Sequence, residues 1–200
     1  MRALALAFLL LCSIAAPSFA QGGIDLYWDN CSQGGSRLKT FACNTNAGPA
    51  FEAYVSVVVP ADMPQFAGAY CYVDVTVSAS TLPDWWSTHP GECRANAIWA
   101  QYSSDSLAGA SCPDIWQGRA VQQVVALLPG INGPSSVRIA NAGAVLAGSE
   151  FHVPADGTEL TVCKITISRA KSGGFSPCAG CSTPATLVAS RVLLQQPSGI

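Results

Sequence analysis

Eight cysteines constrain this chain more than any other feature: Cys31, Cys43, Cys71, Cys93, Cys112, Cys163, Cys178 and Cys181. A ninth, Cys12, lies in an apolar leader, where Arg2 precedes an uncharged run from Ala3 to Ala16, then Pro17 and a Ser18-Phe19-Ala20 cleavage site. Leu11 stands before Cys12 where a lipid-attachment site wants a small residue. The run is shorter than the roughly 20 apolar residues of a membrane span. It reads as a signal peptide over residues 1–20, cleaved near Ala20, with a secreted (extracellular or periplasmic) product and no membrane span in the mature chain. One domain over residues 21–200 remains. An even set of cysteines behind such a leader predicts a disulfide framework, although eight cysteines allow 105 pairings.

Between the cysteines the sequence alternates. AYCYVDVTVS (69–78) puts Cys71, Val73, Val75 and Val77 on one face and Tyr70, Tyr72, Asp74 and Thr76 on the other. FEAYVSVVV (51–59) repeats the pattern and stops at Pro60. A period of two marks half-buried antiparallel strands. IDLYW (24–28), RANAIWAQY (94–102), SSVRIANA (135–142), ELTVCKITISR (159–169) and ATLVASRVLLQ (185–195) are further strands, and AVQQVVALL (120–128) admits helix or strand. Turn pairs such as Pro90-Gly91, Pro129-Gly130 and Asp156-Gly157 separate them. The fold class expected is all-β: a disulfide-stapled antiparallel β-sandwich of about seven to nine strands, with a jelly roll or barrel as the alternative.

Cys71 and Cys163 share faces with core residues, so a bridge between them is expected to tie distant strands. Cys31 with Cys43, and Cys93 with Cys112, are the natural local pairs. Cys178 and Cys181 remain, in GFSPCAGCSTP (174–184). A redox couple needs its attacking thiol at a helix N-terminus, and here Pro184 and a strand follow. Zinc needs further ligands, and both histidines, His89 and His152, sit alone in proline-containing loops. A structural, loop-closing bridge between Cys178 and Cys181 is the reading adopted.

Catalytic motifs are scarce. No G-x-S-x-G, H-E-x-x-H, phosphate-binding or dinucleotide loop is present. Glycoside hydrolysis needs only two carboxylates, and the 12 acidic residues leave that class open. Glu52 and Asp74 fall on outward strand faces. Asp25, Asp29 and Asn30 are oxygens of the kind calcium accepts, without a recognised spacing. Asn30-Cys31-Ser32 fits the N-glycosylation pattern. No metal or cofactor is expected. Charged residues make up only 11% of the chain and form no basic patch, which excludes nucleic acid as a partner.

Aromatics supply the functional lead. LPDWWSTHPGEC places Trp85 and Trp86 in a proline-bounded loop. On extended backbone they point in opposite directions, one into the core and one to solvent. With Trp116 and Tyr102 they form the candidate ligand contact, whereas Trp28 and Trp99 fall on strands and are assigned to the core. Asp84-Trp85-Trp86, Gly91-Glu92-Cys93-Arg94 and Cys178-Ala179-Gly180-Cys181, in this order, resemble a group of uncharacterised secreted bacterial β-rich proteins. Those sequences often carry another cysteine just after C-A-G-C; this one has Ser182-Thr183-Pro184. The resemblance implies an exported β fold and no catalytic residue. In architecture alone the strand pattern is similar to cohesin-like and immunoglobulin-like sandwiches. The first functional reading is a secreted non-catalytic module for extracellular binding, adhesion or surface assembly, its partner an extracellular glycan or cell-surface protein. A secreted glycoside hydrolase-type enzyme and a periplasmic thiol–disulfide protein built on C-A-G-C are the alternatives.

Overall fold

Side-chain alternation becomes sheet. The computed structural model describes residues 22–102 and 104–197, so the leader expected over 1–20, with Cys12, lies outside the described residues. Ten strands occur among them: β1 Ile24–Trp28, β2 Phe51–Val58, β3 Met63–Phe66, β4 Gly68–Val77, β5 Ile98–Gln101, β6 Ala120–Pro129, β7 Ser136–Val145, β8 Phe151–Val153, β9 Glu159–Ile167 and β10 Ala185–Gln195. They form two four-stranded sheets, ordered β1-β2-β9-β5 and β10-β4-β7-β6, and a small β3-β8 ribbon. All strand pairs are antiparallel. The alternate residues Cys71, Val73, Val75 and Ile139 of one sheet and Val55, Cys163, Ile165 and Ile167 of the other are fully buried between them. The protein is an all-β antiparallel sandwich.

Two differences from the sequence reading have local causes. The strand expected over 94–102 shrinks to Ile98–Gln101, because residues 91–96 turn and Asn96 takes a positive φ of 60°. The ribbon strands were not expected; one is three residues long and the other carries Pro64, so neither shows a readable period. Segment 120–128 is strand, as its β-branched Val121, Val124 and Val125 allow. In β9, Val162 is an extra residue against β2, since Val55 opposes Cys163 and Ser56 opposes Thr161. This bulge leaves the Val162 carbonyl to accept the indole N–H of buried Trp116 at 2.7 Å.

The disulfides correct the local pairings. The bridges are Cys31–Cys112, Cys43–Cys181 and Cys93–Cys178; neither Cys31–Cys43, Cys93–Cys112 nor Cys178–Cys181 forms. Each observed bridge spans 81 residues or more. Chain-entropy arithmetic gives such a loop about 4.5–5 kcal/mol, against about 2 for C-x-x-C closed on itself. The contacts that bring the cysteines together are visible. Asn30 Oδ1 accepts the Ser111 N–H at 2.7 Å, and the Trp85 N–H donates to Ala179 O at 2.9 Å. Gly180 packs so close to Pro83 that a Cβ would lie 2.3 Å from the Pro83 Cβ. C-A-G-C is therefore a double anchor that ties the 41–46 and 83–97 loops to the segment before β10. Cys71 and Cys163 face the core as expected, and they stand as thiols.

Across β4 and β7, Arg138 Nε donates to Asp74 Oδ1 at 2.6 Å and Nη2 to Oδ2 at 2.9 Å, so outward-facing Asp74 is paired rather than simply solvated. These bonds hold the Asp74 carboxyl below the usual carboxylate range. Its stabilising contribution is therefore complete above the unfolded pKa of about 3.9 and lost as pH falls through the lower folded value.

Non-reducing peptide mapping should recover the three crossing pairs, and Cys43→Ala with Cys181→Ala should cost about 2–5 kcal/mol in a denaturant melt. Asp74→Asn should lower stability at pH 6 by no more than about 1 kcal/mol and converge with the parent near pH 2.

Candidate functional site

The D-W-W stretch does not stay extended. Asp84–Trp86 form a single 3-10 turn, in which successive side chains are about 120° apart rather than opposed. Trp85 and Trp86 are both 0% exposed, their rings edge-to-face at 4.9 Å, with Phe41 against both. The Trp85 indole N–H donates to Ser172 Oγ at 3.0 Å. Trp116 and Tyr102 are equally buried, edge-to-face at 5.1 Å, and the Tyr102 hydroxyl donates to Asn141 Oδ1. All four residues expected as ligand contacts are core. The 3-10 turn sends both tryptophans inward, and Val162 O and Asn141 Oδ1 give the polar atoms of Trp116 and Tyr102 buried partners.

What holds the loop is Arg94. It is 2% exposed and has no carboxylate partner among the described residues; Nε donates to Ala170 O at 2.8 Å, Nη1 to Trp85 O at 2.7 Å and Nη2 to Ser168 O. The guanidinium also lies over the Trp85 ring, 3.8 Å from its centroid. Burial pushes its pKa down to about 10, so it stays charged at neutral pH. With Cys93–Cys178 beside it, this cage joins the 84–97 loop to the end of β9.

The loop so held supplies one wall of a cleft of about 610 Å³ on the open side of the sandwich between β5 and β6. Thr88, His89, Pro90 and Asn96 come from the loop, Ile98 and Trp99 from β5, and Val125, Ala126 and Leu127 from β6. Loop backbone bonds, Asn96 N–H to Thr88 O and Glu92 N–H to His89 O, set the wall. Trp99, expected in the core, is 37% exposed, because Ile98 and Ala100 take the inward positions of β5. The period of two in Ile98-Trp99-Ala100 carried that signal. His89 is partly buried, and His152 lies exposed on the ribbon 3.9 Å from Asp62.

Thr88 Oγ1, His89 Nε2 and Trp86 Nε1 are buried without a hydrogen-bond partner among the described residues. A buried polar atom left unpaired costs about 1–3 kcal/mol, so three orphans within four residues of one loop mark it. The cleft lining contains no Asp, Glu, Lys or Arg.

The opposite open side, between β1 and β10, holds a comparable cleft of about 600 Å³. Its charged groups are already engaged: Arg37 donates to Asp25 and Tyr27, and Lys39 to Asp29. Asp25 and Asp29, weighed as calcium oxygens, thus have cationic partners, and Asn30 Oδ1 accepts the Cys31 and Ser111 N–H groups. Glu52 pairs with Lys164 at 2.9 Å. No group of three or more His, Cys, Asp or Glu able to hold a metal occurs among the described residues. No known protein family, curated protein or solved structure matches this chain.

Arg94→Met removes the donors to three carbonyls and should cost about 3 kcal/mol or more, seen as a drop of roughly 10 °C in the thermal midpoint. Arg94→Lys should lie between, since one ammonium cannot span all three carbonyls.

Proposed function

We propose that this protein is a secreted, disulfide-bonded, non-catalytic binding module that contacts a neutral extracellular glycan in the β5–β6 cleft. One observation carries the reading: a half-exposed indole, Trp99, in a cleft lined by no ionic side chain. An indole face packs against the C–H face of a pyranose ring, and sugar hydroxyls both donate and accept, so they need no charged partner. The lack of charge in the lining favours a neutral sugar over a uronic or sialic acid. The lack of a carboxylate pair there favours binding over hydrolysis, which needs two carboxyls flanking the bond. Cys178 and Cys181 each belong to a different bridge, which speaks against a redox couple.

Export rests on the leader and on the three bridges, since disulfides persist in oxidising compartments. No helix among the described residues is long and apolar enough to cross a membrane.

A cell-surface protein is the second reading, and the outer face of the β10-β4-β7-β6 sheet favours it. Leu193, Tyr70, Ala142 and Val124 lie in one row across the four strands, and Leu193, Tyr70 and Val124 are exposed.

Titration with neutral oligosaccharides built on glucose, mannose, galactose and N-acetylglucosamine, followed by tryptophan fluorescence, tests the cleft. At least one should bind without being cleaved, and Trp99→Ala should weaken it about tenfold or more while leaving the melt unchanged. Binding unaffected by Trp99→Ala, or no binding by any of the panel, would refute the glycan reading; loss of cell adhesion on Val124→Asp alone would favour the sheet face.

A further inference from the structure

Cys71 and Cys163 lie on facing strands of opposite sheets, and both are completely buried. In β4, Cys71 lies between Val192 of β10 and Asn141 of β7. In β9, Cys163 lies opposite Val55 of β2, beside the Val162 bulge. Neither is near a chain end or a loop, so their meeting is a product of sheet packing. β4 and β9 touch across the core, and both cysteines belong to the same buried cluster. The other six cysteines among the described residues are all bridged.

We propose that in the exported protein Cys71 and Cys163 are joined by a fourth disulfide that pins the two sheets together through the core. This is a covalent tie of a kind different from the other three, which join loops and chain segments outside the strand pairing. Where β4 and β9 cross, their Cα atoms come within 8 Å of each other, near the roughly 4.4–6.8 Å that a disulfide spans.

The chemistry sets the order of events. In the finished fold the contact with Cys71, and then burial, push the Cys163 thiol well above its ordinary range. A buried, protonated thiol is inert toward an external oxidant. The bond therefore forms while the sheets are still open, by exchange with a protein disulfide oxidase of the export compartment. One cysteine, as thiolate, attacks a sulfur of the oxidase disulfide and breaks that bond, giving a mixed disulfide. The other cysteine then displaces the oxidase sulfur. The Cys71–Cys163 bond forms, the two cysteines are oxidised by two electrons, and the oxidase leaves as a dithiol carrying both protons.

Intact mass of the full exported chain, unfolded in denaturant with iodoacetamide and no reductant, decides the matter. The expected result is no alkylation, a mass about 2 Da below the three-bridge form because each bridge removes two hydrogens, and a digest containing a peptide pair linked through Cys71 and Cys163. Two carbamidomethyl groups on Cys71 and Cys163, with the other six cysteines bridged, in most of the molecules would overturn the proposal. A different partner for either cysteine in the digest would overturn it as well.

Discussion

A buried positive charge with no counter-ion among the described residues organises one end of this molecule. A buried guanidinium is tolerated only when its donors are used, and Arg94 uses them on the carbonyls of Trp85, Ser168 and Ala170. Those three residues belong to two stretches of chain that no strand pairing connects. The cage thus ties the tryptophan turn to the end of β9, and the guanidinium over Trp85 packs against the ring beneath it. Cys93, one residue away, adds the covalent tie to Cys178, and Cys181 carries the tie onward to Cys43. Without Arg94 the loop would lose its reason to turn inward, and Thr88 and His89 their place on the cleft.

The sandwich has two open sides, and the difference between them matters more than their similar size. Along β1 and β10 the ionic groups satisfy one another, as Arg37 does with Asp25 and Lys39 with Asp29. Along β5 and β6 the lining holds an indole and no charged side chain. An aromatic surface without ionic groups beside it is the property a neutral ligand uses.

Much of the sandwich was legible in local alternation. The strands around Cys71 and Cys163 and the long final strand follow from a period of two, because a half-buried strand must show opposite chemistry on successive residues. Trp99 was legible by the same rule, between inward Ile98 and Ala100, although tryptophan's bulk argues for the core. The ligand-contact assignment failed at Trp85 and Trp86 because a 3-10 turn and an extended strand share the same short sequence, and only the first sends both indoles inward. The cysteine pairs failed for a related reason. Proximity in sequence favours local closure, yet bridges here follow the docking of loops, recorded in the Asn30–Ser111 and Trp85–Ala179 hydrogen bonds.

From the sequence alone come the properties that each segment decides for itself: the strands, their inward faces, the turns between them and the cysteine framework as a set. Tertiary structure decided which sulfurs meet, which aromatics are covered and where polar atoms are left unpaired. Each of these depends on contacts between segments tens of residues apart, and short-range patterns hold no record of those distances. Arg94 belongs to both lists: its charge was plain in the sequence, and its cage exists only in the fold.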